Sequence, residues 1–112
     1  MIKRACCVVA LAAGMVISSA ANATVTSFAS KTITLVEADD TDDCVYFQLD
    51  GVTEANPVHP GQPWFAVSLS SLGGKNLVTF LLSARLSGTP LSRVVADGSL
   101  VCGTVQAFIV DL

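Results

Sequence analysis

The segment that follows residue 23 contains three short stretches in which apolar and polar residues alternate. The first, TVTSFASKTITLVE, settles into alternation at residues 32–35. In the second, CVYFQL, and the third, WFAVSL, alternate positions form apolar sets: Val45, Phe47 and Leu49, then Phe65, Val67 and Leu69. A period of two is typical of a strand with one buried face, so the pattern predicts three strands.

The pattern changes to helical spacing after Gly73-Gly74. In KNLVTFLLSARLS, apolar side chains recur three and four residues apart and form a broad face: Leu77, Val78, Phe80, Leu81, Leu82 and Ala84. Gly88 can take the left-handed conformation that closes a helix, and Pro90 cannot continue one. The sequence therefore predicts one amphipathic helix over residues 75–87.

Strand patterning returns in the last third of the chain. PLSRVVA and SLVC flank Asp97-Gly98, which is a two-residue hairpin signal. The segment GTVQAFIVDL supplies a last strand. Its two predicted faces are Val105, Ala107 and Ile109 on one side, and Phe108 and Val110 on the other.

These elements predict a mainly β fold with one helix, in the order β-β-β-α-β-β. That is the order of a small OB-fold-like barrel, in which the helix between the third and fourth strands covers an open end. The alternative is an open antiparallel α+β sheet with the helix on one face, because strand order in space cannot be read from periodicity.

The first 23 residues have the parts of a secretory signal peptide. A basic start is followed by an apolar run from Ala5 to Ile17 and by small residues that end at Ala23, which predicts cleavage after Ala23. A membrane anchor is the alternative, but the apolar run is short for a bilayer and small polar residues follow it. We expect an exported protein, periplasmic or secreted, with residues 24–112 as a single small domain and no membrane insertion after cleavage.

Two cysteines remain after residue 23, Cys44 and Cys102. Export places them in an oxidising compartment, where a pair in a small domain usually forms a disulfide. Such a crosslink stabilises by about 4 kcal/mol in the loop-closure model. The alternative is two unpaired buried thiols.

Charge limits the classes of partner. After residue 23, four Lys and Arg residues stand against nine Asp and Glu residues, which gives a net charge of −5. Such a surface repels phosphate groups, so nucleic acids and anionic membranes are disfavoured as partners. Cationic partners are compatible with this charge.

The sequence contains no recognisable catalytic or metal-binding motif. The acidic run EADDTDDC lacks the register of a calcium-binding loop, because Thr41 and Cys44 interrupt it, and is interpreted as a solvated turn. His59 is the only histidine and lies in the proline-rich loop 53–63, where it lacks the partners of a metal site or a catalytic triad. We therefore expect no metal, no cofactor and no enzymatic activity.

Aromatic and amide side chains are the better candidates for a ligand or subunit contact. Trp64 combines a large apolar face with an N–H donor, a combination that often stacks on sugars or anchors interfaces. Its alternative role is to cover the proline-rich loop at the barrel rim. Tyr46 and Gln48 share the less apolar face of the second strand, and Phe108 lies on the outer face of the last strand.

Three segments carry a resemblance to a known group. PWFAVSL, LLSARLSGTPL and CGTVQAFIVDL resemble a group of small exported bacterial proteins of unassigned function, whose second half is similar to the B subunit of subtilase cytotoxin. The likeness spans roughly residues 44–112. It implies an OB-fold domain that assembles into a ring and binds cell-surface glycans.

Two functional hypotheses follow. The first is a secreted, non-enzymatic binding module that recognises a glycan or an envelope or host protein, and the second is a periplasmic structural or inhibitory protein that acts through one protein interface. Because the strand TVQAFIVDL is apolar on both faces and has no lysine, we also expect self-association. A homo-oligomeric ring is the arrangement that the toxin resemblance implies. The alternative to the oligomer is that residues 24–30 cover the outer face of this strand within a monomer.

Overall fold

Residues 24–112, which the computed structural model describes, form six strands and one helix. The elements in chain order are β1 (Thr26–Lys31), β2 (Ile33–Ala38), β3 (Cys44–Leu49), β4 (Phe65–Ser68), α1 (Gly74–Ser87), β5 (Leu91–Val101) and β6 (Thr104–Asp111). The predicted signal peptide lies outside the described residues. Within residues 24–112, no helix is long and apolar enough to cross a membrane.

The six strands belong to one mixed sheet in the order β1-β5-β6-β4-β3-β2. All neighbouring pairs are antiparallel except β4 and β6, which are parallel. The hydrogen-bonded sheet is not closed, because β1 and β2 are its two edge strands. These two strands are consecutive in the chain and only Thr32 separates them, so the chain itself connects one edge of the sheet to the other.

The predicted first strand is therefore two strands. Ser30 has a φ of 56°, a conformation that a residue in a regular strand does not adopt, and the chain changes partner two residues later, at Thr32. Residues up to Lys31 pair with β5, and residues from Ile33 onward pair with β3. When β1 and β2 are counted as halves of one bent strand, the predicted order and the mainly β class with one helix are confirmed.

The core lies between the curled sheet and α1, which contacts β2, β4 and β6. Its largest fully buried side chains include Phe47, Phe65, Leu81, Leu91 and Val94. The ring of Phe65 stacks on Phe47 with centroids 5.1 Å apart and meets Phe28 edge-on at 5.7 Å. Aromatic contacts of this kind add roughly 0.5–1.5 kcal/mol each beyond the area they bury.

The helix begins and ends close to the predicted positions. Gly88 follows it in the left-handed conformation with a φ of 70°, as the sequence predicts. At the other end, Gly74 is buried, and a Cβ on it would lie 1.8 Å from the carbonyl oxygen of Ser68. Only glycine lets the start of α1 come this close to the end of β4.

The predicted hairpin at Asp97-Gly98 is wrong. Strand β5 runs through these residues, and the turn into β6 is Cys102-Gly103, whose φ angles of 51° and 72° suit a two-residue hairpin. Gly98 instead lies against the loop between β3 and β4. A Cβ on Gly98 would lie 3.0 Å from both Asn56 Oδ1 and Val58 Cγ2, so this glycine permits close packing of the loop.

A β-bulge changes the faces predicted for the last strand. Val95 pairs with Ile109 and Ala96 pairs with Ala107, so Phe108 is an extra residue without a partner. Beyond the bulge the alternation reverses, and Val110 enters the core while Ile109 is half-buried. The prediction that Ile109 shares a face with Val105 and Ala107, and Val110 a face with Phe108, is therefore wrong.

The N-terminal strand is held by a buried amide in the loop between β3 and β4. The Nδ2 group of Asn56 donates to the carbonyl oxygen of Thr24, to Thr26 Oγ1 at 3.3 Å and to the carbonyl oxygen of Ala96 at 3.5 Å. Its Oδ1 accepts the N–H of Val58 at 3.0 Å. Asn56 is fully buried, and these bonds satisfy both ends of its amide.

The disulfide between Cys44 and Cys102 is present and joins the first residue of β3 to the turn between β5 and β6. Because 58 positions separate the two cysteines, we expect Cys102→Ser to lower the free energy of unfolding by about 4 kcal/mol. Cys102 is exposed, so serine introduces no packing defect of its own. Urea unfolding followed by the fluorescence of Trp64 measures the change, and an unchanged midpoint would contradict a stabilising crosslink.

The close approach at the start of α1 predicts different effects at two adjacent glycines. Gly74→Ala should destabilise the domain by about 1–3 kcal/mol, because the added methyl group meets main-chain atoms of Ser68. Gly73→Ala is the matched control, since a Cβ on Gly73 has no neighbour within 4 Å. Thermal unfolding should give a lower melting temperature for Gly74→Ala than for Gly73→Ala. Equal melting temperatures would show that α1 and β4 can move apart without loss of stability.

Candidate functional site

The outer face of the sheet carries a groove with a volume of about 310 Å³. Its lining residues are Glu37, Asp39, Tyr46, Trp64 and Thr104, and we call it the aromatic groove. Successive side chains of a strand point to opposite faces. Because Phe47, Phe65 and Val105 are in the core, their neighbours Tyr46, Trp64 and Thr104 are presented outward.

Strand pairing brings these residues together. Glu37 of β2 pairs with Tyr46 of β3, and Tyr46 pairs in turn with Ala66 of β4. Phe65 pairs with both Phe47 and Val105, so the preceding residue, Trp64, lies in register with Thr104. The groove therefore spans β2, β3, β4 and the start of β6.

Tyr46 is held in position by the acidic turn between β2 and β3. Its hydroxyl donates to Asp42 Oδ2 at 2.6 Å. This hydrogen bond, with some desolvation and the negative charges of Asp42, Asp39 and Glu37, raises the pKa of Tyr46 to about 12. The phenol is neutral at physiological pH and gives its only proton to Asp42, so it offers a ligand its ring and an acceptor oxygen.

Asp39 contributes a carboxylate to the groove. Its Oδ1 accepts the N–H of Thr41 at 2.9 Å and the hydroxyl of Thr41 at 2.8 Å. These hydrogen bonds hold the pKa of Asp39 below its usual value, so the group stays ionised. In the same turn Asp42 Oδ1 accepts the N–H of Cys44 at 3.0 Å, and the acidic residues thus shape the turn themselves.

The disulfide connects the two turns beside the groove. Cys44 follows the acidic turn, residues 39–43, and Cys102 lies in the turn two residues before Thr104. Within residues 24–112, the one group of potential metal ligands that lie close together is Asp42, Cys44 and Cys102. Both cysteines are consumed by the disulfide, so this group offers no thiolate to a metal.

The predicted contact residues do not all meet. Tyr46 and Trp64 line the same groove, but Gln48 and Phe108 do not, although Gln48 lies on the same strand and face as Tyr46. Phe108 is 40% exposed at the bulge of β6. Sequence reasoning did not identify Glu37, Asp39 or Thr104 as site residues, because their approach depends on which strands pair.

His59 lies in the loop between β3 and β4, where its side chain packs against the chain at Gly98. It is half-buried, and its Nε2 lies 3.0 Å from the carbonyl oxygen of Gly98. Its ring lines a separate cavity of about 230 Å³ with Gln62, Leu100, Gly103 and Val105. No second titratable side chain lines that cavity among the described residues, so its geometry supports no catalytic pair.

The hydrogen bond of Tyr46 can be measured directly, because the chain has one tyrosine. Ultraviolet titration should give a midpoint near 12 for the parent, and Asp42→Asn should lower it toward 10. Because the folded pKa lies above the unfolded one, the contribution of this bond to stability is complete below pH 10 and disappears as the pH rises through 12. Asp40→Asn is the control, and equal shifts in both variants would assign the effect to general charge.

No protein-family model matches the chain, and no curated protein matches it. The functions open to this protein therefore depend on the chemistry of the aromatic groove.

Proposed function

We propose that this protein is an exported, non-enzymatic binding module that holds a glycan in the aromatic groove. The observation that carries the proposal is the convergence of Tyr46 and Trp64 with two carboxylates on one open face. A sugar ring presents a C–H face that packs on aromatic side chains and hydroxyl groups that donate to carboxylates. The groove volume lies at the lower end of the range for small-molecule sites.

The place of the groove in the fold supports the same function. In OB-fold domains, oligosaccharides and oligonucleotides bind on the face of the second and third strands, between the loops that follow the first and fourth strands. With β1 and β2 counted as one strand, these positions correspond to β3, β4, the acidic turn and the Cys102-Gly103 turn. The net charge of −5 over residues 24–112 disfavours oligonucleotides, so of these two ligand classes oligosaccharides are favoured.

The carboxyl group of Asp39 is unsuited to the acid step of glycoside hydrolysis. A glycosidase needs one carboxyl group with a raised pKa to protonate the leaving oxygen. Hydrogen bonds from Thr41 lower the pKa of Asp39, so Asp39 cannot fill that role. Export is supported by the signal-like sequence of residues 1–23 and by the disulfide, a crosslink typical of oxidising compartments.

A protein interface is the second candidate function, and a separate surface favours it. Leu82 and Leu86 lie one turn apart on α1 and are 45% and 87% exposed, and Leu72 just before the helix is fully exposed. Exposed apolar side chains grouped on one element are typical of interaction sites. This surface suits a periplasmic structural or inhibitory role through one protein contact.

Assembly into a ring is a further part of the proposal, and Phe108 is the residue that supports it. The bulge leaves its ring exposed on the outer face, while β1 extends the sheet beside β5. We expect light scattering at micromolar concentration to give a mass of several chains, and Phe108→Ser to reduce it. Leu86→Ser is the control on the helix, and a single-chain mass for the parent would refute the ring.

Glycan binding can be followed through the one tryptophan of the chain. An array of immobilised glycans should identify ligands for the parent protein, and these should change the fluorescence of Trp64 when added in solution. Trp64→Ala lacks the fluorescent probe, so its binding is measured on the array. It should bind about two- to tenfold more weakly, since loss of a stacked aromatic contact removes roughly 0.5–1.5 kcal/mol. His59→Ala, in the other cavity, should bind as the parent does. Binding that is unaffected by Trp64→Ala would place the ligand elsewhere.

A further inference from the structure

The aromatic groove presents almost only hydrogen-bond acceptors to a ligand. Glu37 is exposed and accepts at two oxygens, and Asp39 retains Oδ2 because its Oδ1 is bonded to Thr41. Tyr46 gives its proton to Asp42 and is left with an acceptor oxygen. The donors that line the groove are limited to the indole N–H of Trp64 and the hydroxyl of Thr104. A ligand that fits must therefore supply donors.

The charge of the groove has no counter-ion within the described residues. None of the four Lys and Arg side chains of residues 24–112 lines it. Arg93 pairs with Asp111 at 2.9 Å, and the other three lie on β1 and α1. The carboxylates of Glu37 and Asp39 therefore face the ligand without a cation to balance them.

Aromatic rings and unbalanced carboxylates together favour one kind of group. A protonated amine offers three donors, pairs with carboxylates and is attracted to the face of Trp or Tyr. The aromatic side chains and the volume make the groove a binding site, and its carboxylates then decide between ligands. A sugar that carries a carboxylate would instead meet Glu37 and Asp39 as like charges.

We infer that the aromatic groove selects an amino sugar with a free, protonated amine over its N-acetylated, neutral or carboxylated counterparts. This inference rests on the proposed glycan-binding function and adds the class of sugar. Amine recognition would come from Glu37 and Asp39, and stacking of the ring from Trp64 and Tyr46. Acetylation removes the charge and two of the three donors, so it should abolish the preference without changing the shape of the ring.

Matched oligosaccharides test the inference. The oxidised protein, residues 24–112, is titrated with glucosamine oligomers and with N-acetylated oligomers of equal length, and binding is followed by Trp64 fluorescence. The free amines should bind at least about tenfold more tightly. Glu37→Gln should reduce this ratio several-fold, because it should weaken binding of the free amine more than binding of the N-acetylated oligomer. Asp50→Asn, which removes an equal charge from a different turn, should keep the ratio of the parent.

The outcomes separate the inference from the function on which it rests. If both oligomers bind equally through Trp64, the amine selectivity is wrong and the glycan-binding function stands. If no oligosaccharide of either set or of the array binds, the proposed function itself fails. A lysine peptide that binds where its acetylated form does not, with no oligosaccharide binding, would overturn the assignment to a sugar and show that the amine belongs to a protein. Loss of the ratio in Asp50→Asn would show that only the overall charge matters.

Discussion

The structure depends on one stretch of chain that pairs with two different strands. Residues 26–31 form hydrogen bonds with β5, and residues 33–38 form hydrogen bonds with β3, so a single bend at Thr32 links the two edges of the sheet. A flat sheet cannot satisfy both pairings. The sheet therefore curls, and its concave side encloses the stacked rings of Phe47 and Phe65 beneath α1.

Curling of the sheet also determines what the outer face can do. The same alternation that buries Phe47 and Phe65 presents Tyr46 and Trp64 outward on neighbouring strands, so the position of the groove is a direct consequence of the core. The charges are distributed unevenly over this surface. Basic side chains lie on β1, α1 and β5, whereas the acidic turn lies beside the groove. Positive and negative charges therefore belong to different parts of the domain surface.

Periodicity predicted the strands, the helix and its glycine terminus, because these features depend on residues close together in sequence. It also placed Tyr46 on the face of its strand opposite Phe47, whereas Trp64 was identified by the chemistry of its side chain. It could not show that Glu37 reaches Tyr46, since that contact depends on the pairing of β2 with β3. The hairpin predicted at Asp97-Gly98 was wrong, because a glycine that permits close packing of a neighbouring loop has the same local sequence signal as a glycine in a hairpin.

The bulge at Phe108 shows the same limit on a smaller scale. A strand with apolar residues at both odd and even positions leaves its inward face undecided, and one extra residue exchanges the two faces. The sequence of β6 contains Ile109 and Val110 side by side, both acceptable in a core. The register with β5 decided between them, and that register is a property of two distant segments.

The long separation of paired segments has a consequence for the order in which the domain forms. Thr26 pairs with Ala96, 70 positions later in the sequence, and the cysteine that completes the crosslink lies later still, at position 102. During synthesis the N-terminal residues emerge first. Neither contact can form until Ala96 and Cys102 are available. High contact order makes such pairing slow, and the early strands stay exposed in the interval. The fold of this domain therefore cannot be completed before residues 96–102 are available.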